Sequence, residues 1–247
     1  MGHSEFTIIA FSTLTVVGFV GLIRQKSPKN SSFPLPFVVL RNIATQYLAV
    51  FKKFRVVGAG HIPSSGPLIL VANHTTSYDP VCLQVACAER MIRFMEAREY
   101  YDQKPLTYIY RALKIIPVNR TGNDTASIRT ALRELSGNGC VGIFPEGKIS
   151  DDGSLQEAHQ GVALLAMLSG SPVVPAYIRG TGGYSGMVRD FFRLNHVTLF
   201  FGPPIRFDDL CDRHRDKEAR EIALKRIMDA LAALAAASGE PESRAAA

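Results

Sequence analysis

Short apolar runs alternate along the chain with segments in which apolar residues recur at helical spacing, starting at residue 54. Runs of four to six apolar residues bounded by turn residues are typical of buried strands, and spacings of three and four are typical of helices. The alternation predicts an α/β fold, with a mainly parallel sheet flanked by helices. The predicted strands are 54–57, 68–72, 92–96, 115–118, 141–144, 173–178 and 197–201, and the predicted helices are 80–88, 100–113, 125–135, 159–168 and 217–236.

The segment 6–23 differs from this pattern because its eighteen residues carry no charge. As a helix it would measure roughly 27 Å, about the hydrocarbon thickness of a bilayer. Arg24, Lys26 and Lys29 follow it, which predicts a cytoplasmic carboxyl end. A secretory signal peptide would need a basic stretch before the run and a small-residue cleavage site, and neither is evident. We expect a membrane anchor that either spans the bilayer or embeds in one leaflet.

A second, amphipathic helix is predicted for 36–53, after a Pro- and Ser-rich break. Its basic end would be formed by Lys52, Lys53 and Arg55. It could be an ordinary surface helix packed on the core, or a helix that lies in the membrane interface. We expect the interfacial position because the bilayer-length segment directly precedes it. Its apolar stripe is Phe37, Leu40, Ala44, Tyr47, Leu48 and Phe51.

These segments divide the chain into a membrane-anchoring part (1–53), an α/β domain (54–237) and a flexible tail (238–247). Hydrophobic residues make up 47% of the chain and charged residues 20%, which excludes a disordered chain. The net charge of +6 suits an anionic partner, whether a phospholipid headgroup, a nucleotide or a nucleic acid, and does not choose among them. The four cysteines lack the spacing of a zinc or redox site, so we expect reduced thiols, no disulfide and no metal.

Ligands of parallel sheets bind at the carboxyl ends of the strands, so polar residues that follow strands are candidates for chemistry. His74 follows the strand 68–72, and Asp79 precedes Pro80 at the start of a helix. Asp79 could simply cap that helix, with His74 as a polar loop residue. Alternatively, the carboxylate could orient the imidazole, so that its other nitrogen accepts a hydroxyl proton. That pairing requires the chain to curl between the two residues.

Three further strand ends carry distinctive residues. The segment 115–120 reads I-I-P-V-N-R and ends on Arg120. The segment 144–148 reads F-P-E-G-K and places Glu146, Gly147 and Lys148 in a turn. The segment 173–178 reads V-V-P-A-Y-I, apolar with an internal proline at Pro175.

Taken in order, N-H-x4-D, P-V-N-R, F-P-E-G and V-V-P-x-x-I resemble the four sequence blocks of the glycerolipid acyltransferases, among them the lysophosphatidic-acid acyltransferases. The resemblance covers about residues 54–205. It implies a membrane enzyme that transfers a fatty acyl group from acyl carrier protein or coenzyme A to the sn-2 hydroxyl of 1-acyl-glycerol-3-phosphate, giving phosphatidic acid. The implied partners are membrane lipid, the lysophospholipid acceptor and the thioester, with no further cofactor. The implied location is the cytoplasmic face of the inner membrane.

The resemblance also implies roles for single residues. His74 resembles the catalytic base, and Asp79 resembles its orienting partner. Arg120 resembles the cation that holds the acceptor phosphate, and Glu146 and Gly147 resemble part of the acceptor pocket. Pro175 lies in the block associated with a supporting or acyl-side wall.

One departure from the family pattern concerns acceptor identity. The third block usually continues T-R-S, whereas this chain has Lys148, Ile149 and Ser150. Lys148 could supply the missing charge, but as a point charge rather than the bidentate fork of arginine. The departure leaves open another lyso-lipid as the acceptor, such as a lyso-aminolipid. A non-catalytic lipid-binding protein with the same fold is a further alternative, but it would have no reason to carry the His74–Asp79 pair.

Other classes of function fit less well. The glycine-rich segment 179–186 follows a strand but lacks the phosphate-binding spacings G-x-G-x-x-G and G-x-x-x-x-G-K. No G-x-S-x-G pattern of an α/β-hydrolase is present in the sequence. The aromatic residues are scattered and show no RNA-binding pattern, so we expect no nucleic-acid partner.

Overall fold

A computed structural model describes residues 33–102, 104, 106–120, 124–150, 152–181 and 192–239. The predicted anchor at 6–23 and the tail beyond residue 239 lie outside these residues, as does most of the glycine-rich segment. Within the described part of the chain, no helix is both long and apolar enough to cross a membrane.

The centre of the fold is a seven-stranded sheet, and all seven strands lie close to the predicted positions. Its strand order is β1-β7-β6-β2-β5-β3-β4. All neighbouring strands run parallel except β6 and β7, which are antiparallel. The predicted α/β fold with a mainly parallel sheet is therefore confirmed. The strands are β1 (Arg55–Val57), β2 (Leu68–Ala72), β3 (Ile92–Ala97), β4 (Ile116–Val118), β5 (Cys140–Ile143), β6 (Val173–Arg179) and β7 (Thr198–Phe201).

Seven α-helices are described around the sheet. They are α1 (Leu35–Lys52), α2 (Asp79–Ala86), α3 (Arg98–Tyr101), α4 (Leu106–Ala112), α5 (Thr125–Ser136), α6 (Gly161–Ser169) and α7 (Lys217–Ala237). Short 3-10 turns occur at Ala59–His61 and Cys211–Arg213.

The central strand β2 is buried on both sides because the helices cover both faces of the sheet. Leu70 faces a core shared with α1 and α2, where Leu48 and Leu83 are buried. Val71 faces a second core shared with α5, α6 and α7. This arrangement explains the unbroken apolar sequence of β2, since a strand covered on both faces has no solvent side. Cys82, Cys87, Cys140 and Cys211 are free thiols in this structure.

The predicted helix 100–113 is divided in the structure into α3 and α4. Pro105 lies between them in the sequence. A proline inside a helix lacks the donor for one hydrogen bond and clashes with the preceding turn, so a continuous helix is disfavoured there. The predicted helix 159–168 begins at Gly161, two residues later than expected, and the His159 backbone N–H before it donates to the Pro145 carbonyl at 2.9 Å.

The predicted stripe of α1 packs on the core instead of facing outward. Leu48 is fully buried, and Ala44 and Tyr47 pack against the same cluster. The predicted boundary at residue 54 therefore separates two segments that pack together. Lys52, part of the predicted basic end, is 0% exposed. Its ammonium group donates to the Arg193 carbonyl at 2.9 Å and lies 4.6 Å from the ring centroid of Tyr78, and these contacts compensate for its burial.

A different stripe of α1 is exposed. Leu35, Val39, Ile43 and Val50 all lie on the surface, at spacings that place them on one side of the helix. Phe192 and Leu194 are also exposed, and the Phe192 ring meets Phe51 edge-on at 6.4 Å. The described residues thus expose apolar side chains along α1 and next to its carboxyl end.

Candidate active site

His74 and Asp79 are brought together by the loop between β2 and α2. The strand ends at Ala72, and the helix begins at Asp79. The Asp79 backbone N–H closes a turn on the Thr76 carbonyl, and this turn reverses the chain. The His74 Nδ1 atom consequently lies 3.0 Å from Asp79 Oδ2. The curl that the pairing requires is therefore present.

The Asp79 carboxylate is fully buried and points back into the loop. Its Oδ2 atom accepts the backbone N–H groups of Thr75 and Thr76 at 2.7 and 2.8 Å, besides His74. Its Oδ1 atom accepts the Thr76 hydroxyl at 2.8 Å. Helix α2 has no side-chain cap, and Asp79 is already its first residue, followed by Pro80. Asp79 therefore does not cap helix α2 with its side chain. Its carboxylate instead organises the loop before the helix.

Asp79 also fixes the state of the imidazole. An ionised carboxylate is only an acceptor, so the contact with Asp79 requires Nδ1 to carry the hydrogen and donate it in a hydrogen bond. Neutral histidine then carries its hydrogen on Nδ1, and Nε2 keeps a lone pair. The ring stacks on Phe144 with a centroid distance of 4.1 Å and an interplanar angle of 18°. Phe144 thus covers one face of the imidazole. The His74 side chain is still 12% exposed, so the ring can be reached from solvent.

Asn73 anchors the start of this loop. Its side-chain oxygen accepts the Ile178 N–H at 2.7 Å, and its nitrogen donates to the Ile178 carbonyl at 3.0 Å. The side chain thereby continues the pairing of β2 with β6 beyond the end of the strand. On the same side of the loop, the Tyr78 hydroxyl donates to the Thr181 carbonyl at 3.1 Å. Both ends of the loop are therefore fixed to the strand-end region of β6.

Glu146 contacts the backbone of His74 and is 2% exposed. Its two carboxylate oxygens accept the backbone N–H groups of His74 and Gln156, each at 3.3 Å. Burial raises the pKa of Glu146 to about 7, although these two N–H groups and the charge of His74 act in the opposite direction. In this geometry Glu146 holds backbone in place, and its predicted role in the acceptor pocket stays a prediction.

The turn after Glu146 requires glycine at position 147. Gly147 has a φ angle of +66°, and a Cβ atom there would lie 2.9 Å from His159 Cδ2. Beyond it, Lys148 is exposed and Ile149 is 39% exposed. The next residue, Ser150, turns inward and donates its N–H to the His74 carbonyl at 2.7 Å. The two residues that depart from the family pattern therefore face solvent, while their neighbours support His74.

Arg120 follows β4 and is less firmly held. Its guanidinium pairs with Glu99 at 3.4 Å, and both side chains are about half exposed. It also lies 5.8 Å from the ring centroid of Tyr100. An exposed ion pair of this kind contributes little to stability and can exchange partners. The predicted phosphate contact of Arg120 is compatible with this position but is not tested by it.

Sequence reasoning missed three residues of this site. Thr76 supplies two of the hydrogen bonds to Asp79, and Phe144 supplies the surface on which His74 stacks. Glu96, at the end of β3, is largely buried, and burial raises its pKa while the charges of His74 and Arg120 oppose that shift. The sequence could have indicated Glu96, because it continues the alternation in which Ile92 and Phe94 face the core. Pro175, by contrast, lies within β6 in register with Val71, next to the site strand.

Comparison with known proteins identifies the fold and the family. The family model described as Acyltransferase matches residues 53–179, which is about half of the chain and includes the loop, Arg120 and the Glu146 turn. The solved structure of the 1-acyl-sn-glycerophosphate acyltransferase PlsC from Thermotoga maritima has the same fold, with a TM-score of 0.65. It is 20% identical, and the match covers 96% of this chain and 91% of that one.

Several curated relatives are named 1-acyl-sn-glycerol-3-phosphate acyltransferase. The protein from Bacillus subtilis is 26% identical over 71% of this chain and 84% of its own length. The chloroplastic protein BAT2 from Brassica napus is 27% identical over 70% of this chain, and the human beta form is 26% identical over 60%. The chain spans about half the length of the plant and human proteins. With the family model matched over six of the seven described strands and the histidine loop, this chain belongs to the Acyltransferase family.

Proposed function

We propose that this protein transfers a fatty acyl group from a thioester to the sn-2 hydroxyl of 1-acyl-glycerol-3-phosphate, with His74 as the base and Asp79 as its partner. The observation that carries the proposal is the 3.0 Å contact between His74 Nδ1 and Asp79 Oδ2 inside a matched acyltransferase domain. The names of the curated relatives support the choice of acceptor. The product would be phosphatidic acid, an intermediate of phospholipid synthesis.

In this mechanism, the acceptor hydroxyl donates its proton to His74 Nε2 as its oxygen attacks the thioester carbonyl. A carbon–oxygen bond forms, the carbon–sulfur bond breaks, and the departing thiolate receives the proton from His74. Asp79 keeps Nδ1 protonated and stabilises the positive charge that the ring carries between the two transfers. Base catalysis of this kind contributes about 10²–10⁴-fold, and positioning of the two substrates adds to it.

Arg120 is proposed to bind the acceptor phosphate, with Lys148 as a second cation. Both side chains lie at least partly in solvent, and both follow strands whose carboxyl ends point to the same edge of the sheet as His74. The acyl donor would be acyl carrier protein or a coenzyme A thioester, and the apolar residues near Pro175 would form a supporting or acyl-side wall.

Another lyso-lipid is a second candidate for the acceptor, because Ile149 occupies a position where the family pattern has arginine. Ile149 is partly exposed and cannot pair with phosphate. An acceptor panel of 1-acyl-glycerol-3-phosphate, zwitterionic lysophospholipids and a lyso-aminolipid distinguishes the two candidates. The acceptor with the highest kcat/KM identifies the substrate class.

We also propose that the protein works at the cytoplasmic face of the inner membrane. The apolar segment 6–23 and the exposed stripe that contains Val39 and Ile43 support this location. In a liposome flotation assay, replacing Val39 and Ile43 by Asn should reduce the bound fraction of the full chain. Unchanged flotation would mean that this stripe does not contribute to binding.

The decisive experiment is acyl transfer by the purified full-length protein in liposomes, with 1-acyl-glycerol-3-phosphate and an acyl thioester. Wild-type protein should form phosphatidic acid, and His74→Ala should be slower by about 10²-fold or more while remaining folded. His214→Ala is the matched control, since His214 precedes α7 and hydrogen-bonds within its own turn, to the Cys211 carbonyl. Equal turnover by wild type and His74→Ala would remove the proposed base.

A further inference from the structure

The ends of three neighbouring strands place His74, Phe144 and Glu96 on one face of the sheet. Leu70 on β2 and Phe94 on β3 both pair with Gly142 on the strand between them. Side chains alternate along a strand, so Glu96 points to the same face as Phe94, and Phe144, just past the end of β5, continues that face from Gly142. His74 follows β2 in a loop, and its stacking on Phe144 places it on the same face. Because β5 lies between β2 and β3, the base and the Glu96 carboxylate lie on opposite sides of Phe144.

The ring contacts agree with the register. His74 stacks on Phe144 at 4.1 Å, and Phe144 is nearly parallel to Phe94 at a centroid distance of 6.0 Å. Phe94 precedes Glu96 by two residues on the same strand face. The two aromatic rings therefore lie on the sheet face that the imidazole and the carboxylate share. A charge acts more strongly across such a surface than through solvent.

We propose that Glu96 is a positioning residue for the base, and that its carboxylate stabilises the positive charge that His74 carries during acyl transfer. This inference rests on the proposed function of His74. Asp79 holds the ring directly at Nδ1, whereas Glu96 acts from the opposite side of Phe144. No bond to Glu96 forms or breaks, and the proton passes from the acceptor hydroxyl to His74 and then to the leaving thiolate.

The other groups around Glu96 are consistent with this role. Burial raises its pKa, the Ala97 N–H donates to its Oε1 at 3.2 Å, and the positive charges of His74 and Arg120 favour its ionised form. Glu99 from α3 opposes ionisation, and Tyr110 from α4 is close enough that Glu96 contributes to the raised pKa of that phenol. The ionised form of Glu96 is thus favoured by the Ala97 N–H, by Arg120 and by the charge that His74 gains during transfer.

The test is the pH dependence of kcat for wild type and Glu96→Gln. Well above the raised pKa of Glu96, the carboxylate is ionised, and we expect the variant to be slower by roughly fivefold to tenfold with little change in acceptor KM. As the pH falls through that pKa, wild-type Glu96 becomes neutral, so the ratio of wild-type to variant kcat should approach one. A purely structural role for Glu96 would leave a ratio that does not vary with pH.

Glu89→Gln is the matched control, because Glu89 is exposed and lies before the amino end of β3, at the opposite edge of the sheet. It removes the same charge and should leave the kcat ratio near one at every pH. Glu96→Asp should recover part of the lost rate. Wild-type kcat in Glu96→Gln, with His74→Ala inactive, would overturn this inference alone. If His74→Ala also kept wild-type kcat, the proposed function itself would fail.

Discussion

The loop that carries His74 and the region around Arg120 lie at the same edge of the sheet but are built differently. The Asp79 carboxylate is fully buried and accepts four hydrogen bonds from the loop. Arg120 is about half exposed and pairs with a carboxylate that is about half exposed as well. The first region is fixed before any substrate arrives, whereas the second can rearrange around one.

The difference follows from what each region has to do in the proposed reaction. A general base must keep one tautomer and one orientation through every turnover, and buried hydrogen bonds provide this. A headgroup site must exchange solvent and a weak ion pair for the substrate's phosphate, so strong internal bonds would oppose binding. Variants of the rigid region should therefore change kcat, and variants of the exposed region should change the acceptor KM.

The largest effect is expected from Asp79→Asn. If the asparagine oxygen takes the Oδ2 position, it still accepts from His74, Thr75 and Thr76, and its amide can donate to the Thr76 hydroxyl. The substitution thus removes the charge while keeping the loop, and kcat should fall by about 10²-fold with acceptor KM nearly unchanged. Steady-state kinetics beside a thermal melt provides the check. An unchanged kcat would show that the Asp79 charge does not act on the base.

The stability of the region around His74 should also depend on pH, through Glu146. Burial raises the pKa of Glu146 from its usual 4.5 to about 7, so the folded state binds more protons than the unfolded state between these values. The free energy of unfolding should therefore decrease as pH rises from 4.5 to 7, by up to about 3 kcal/mol. Denaturant titrations at several pH values measure this, and Glu146→Gln should lack that contribution. Parallel curves for both proteins would contradict the proton uptake.

The smallest effect of the three is expected from Arg120→Ala. Removal of an exposed cation should raise the KM for 1-acyl-glycerol-3-phosphate by about tenfold, with kcat largely kept, because the base lies elsewhere. Arg129→Ala, an exposed arginine on α5, is the charge-matched control. If Arg120→Ala instead lowered kcat without affecting KM, the division between rigid and exposed regions would be wrong.

Much of the fold was predictable because the strands are short, apolar and bounded by turn residues. All seven predicted strands are present, and β2 matches its predicted range. The helix pattern failed at 100–113, where a single Pro105 outweighs the surrounding periodicity. Strand order, with β2 between β5 and β6, does not follow from these local patterns, because pairing depends on contacts between residues far apart in the chain.

The site was predictable to a different degree for each residue. His74 and Asp79 were chosen for their place between a strand and a helix, and the structure brings them into contact. Nothing local indicated that Phe144, seventy positions away, would lie against the imidazole. Lys52 was predicted to form part of the basic end of α1, and no local pattern indicated that the Arg193 carbonyl and two tyrosine rings would surround its ammonium group.

By itself, the sequence determined the element types, the strand ends that carry chemistry and the resemblance to one family of acyltransferases. These features are local, since they depend on apolar spacing, turn residues and the order of short motifs. Only the tertiary structure decided which side of α1 is buried and that Glu146 supports His74 through its backbone. It also decided that Glu96 shares a sheet face with the base. Such properties depend on register and packing between distant segments, which local spacing does not encode.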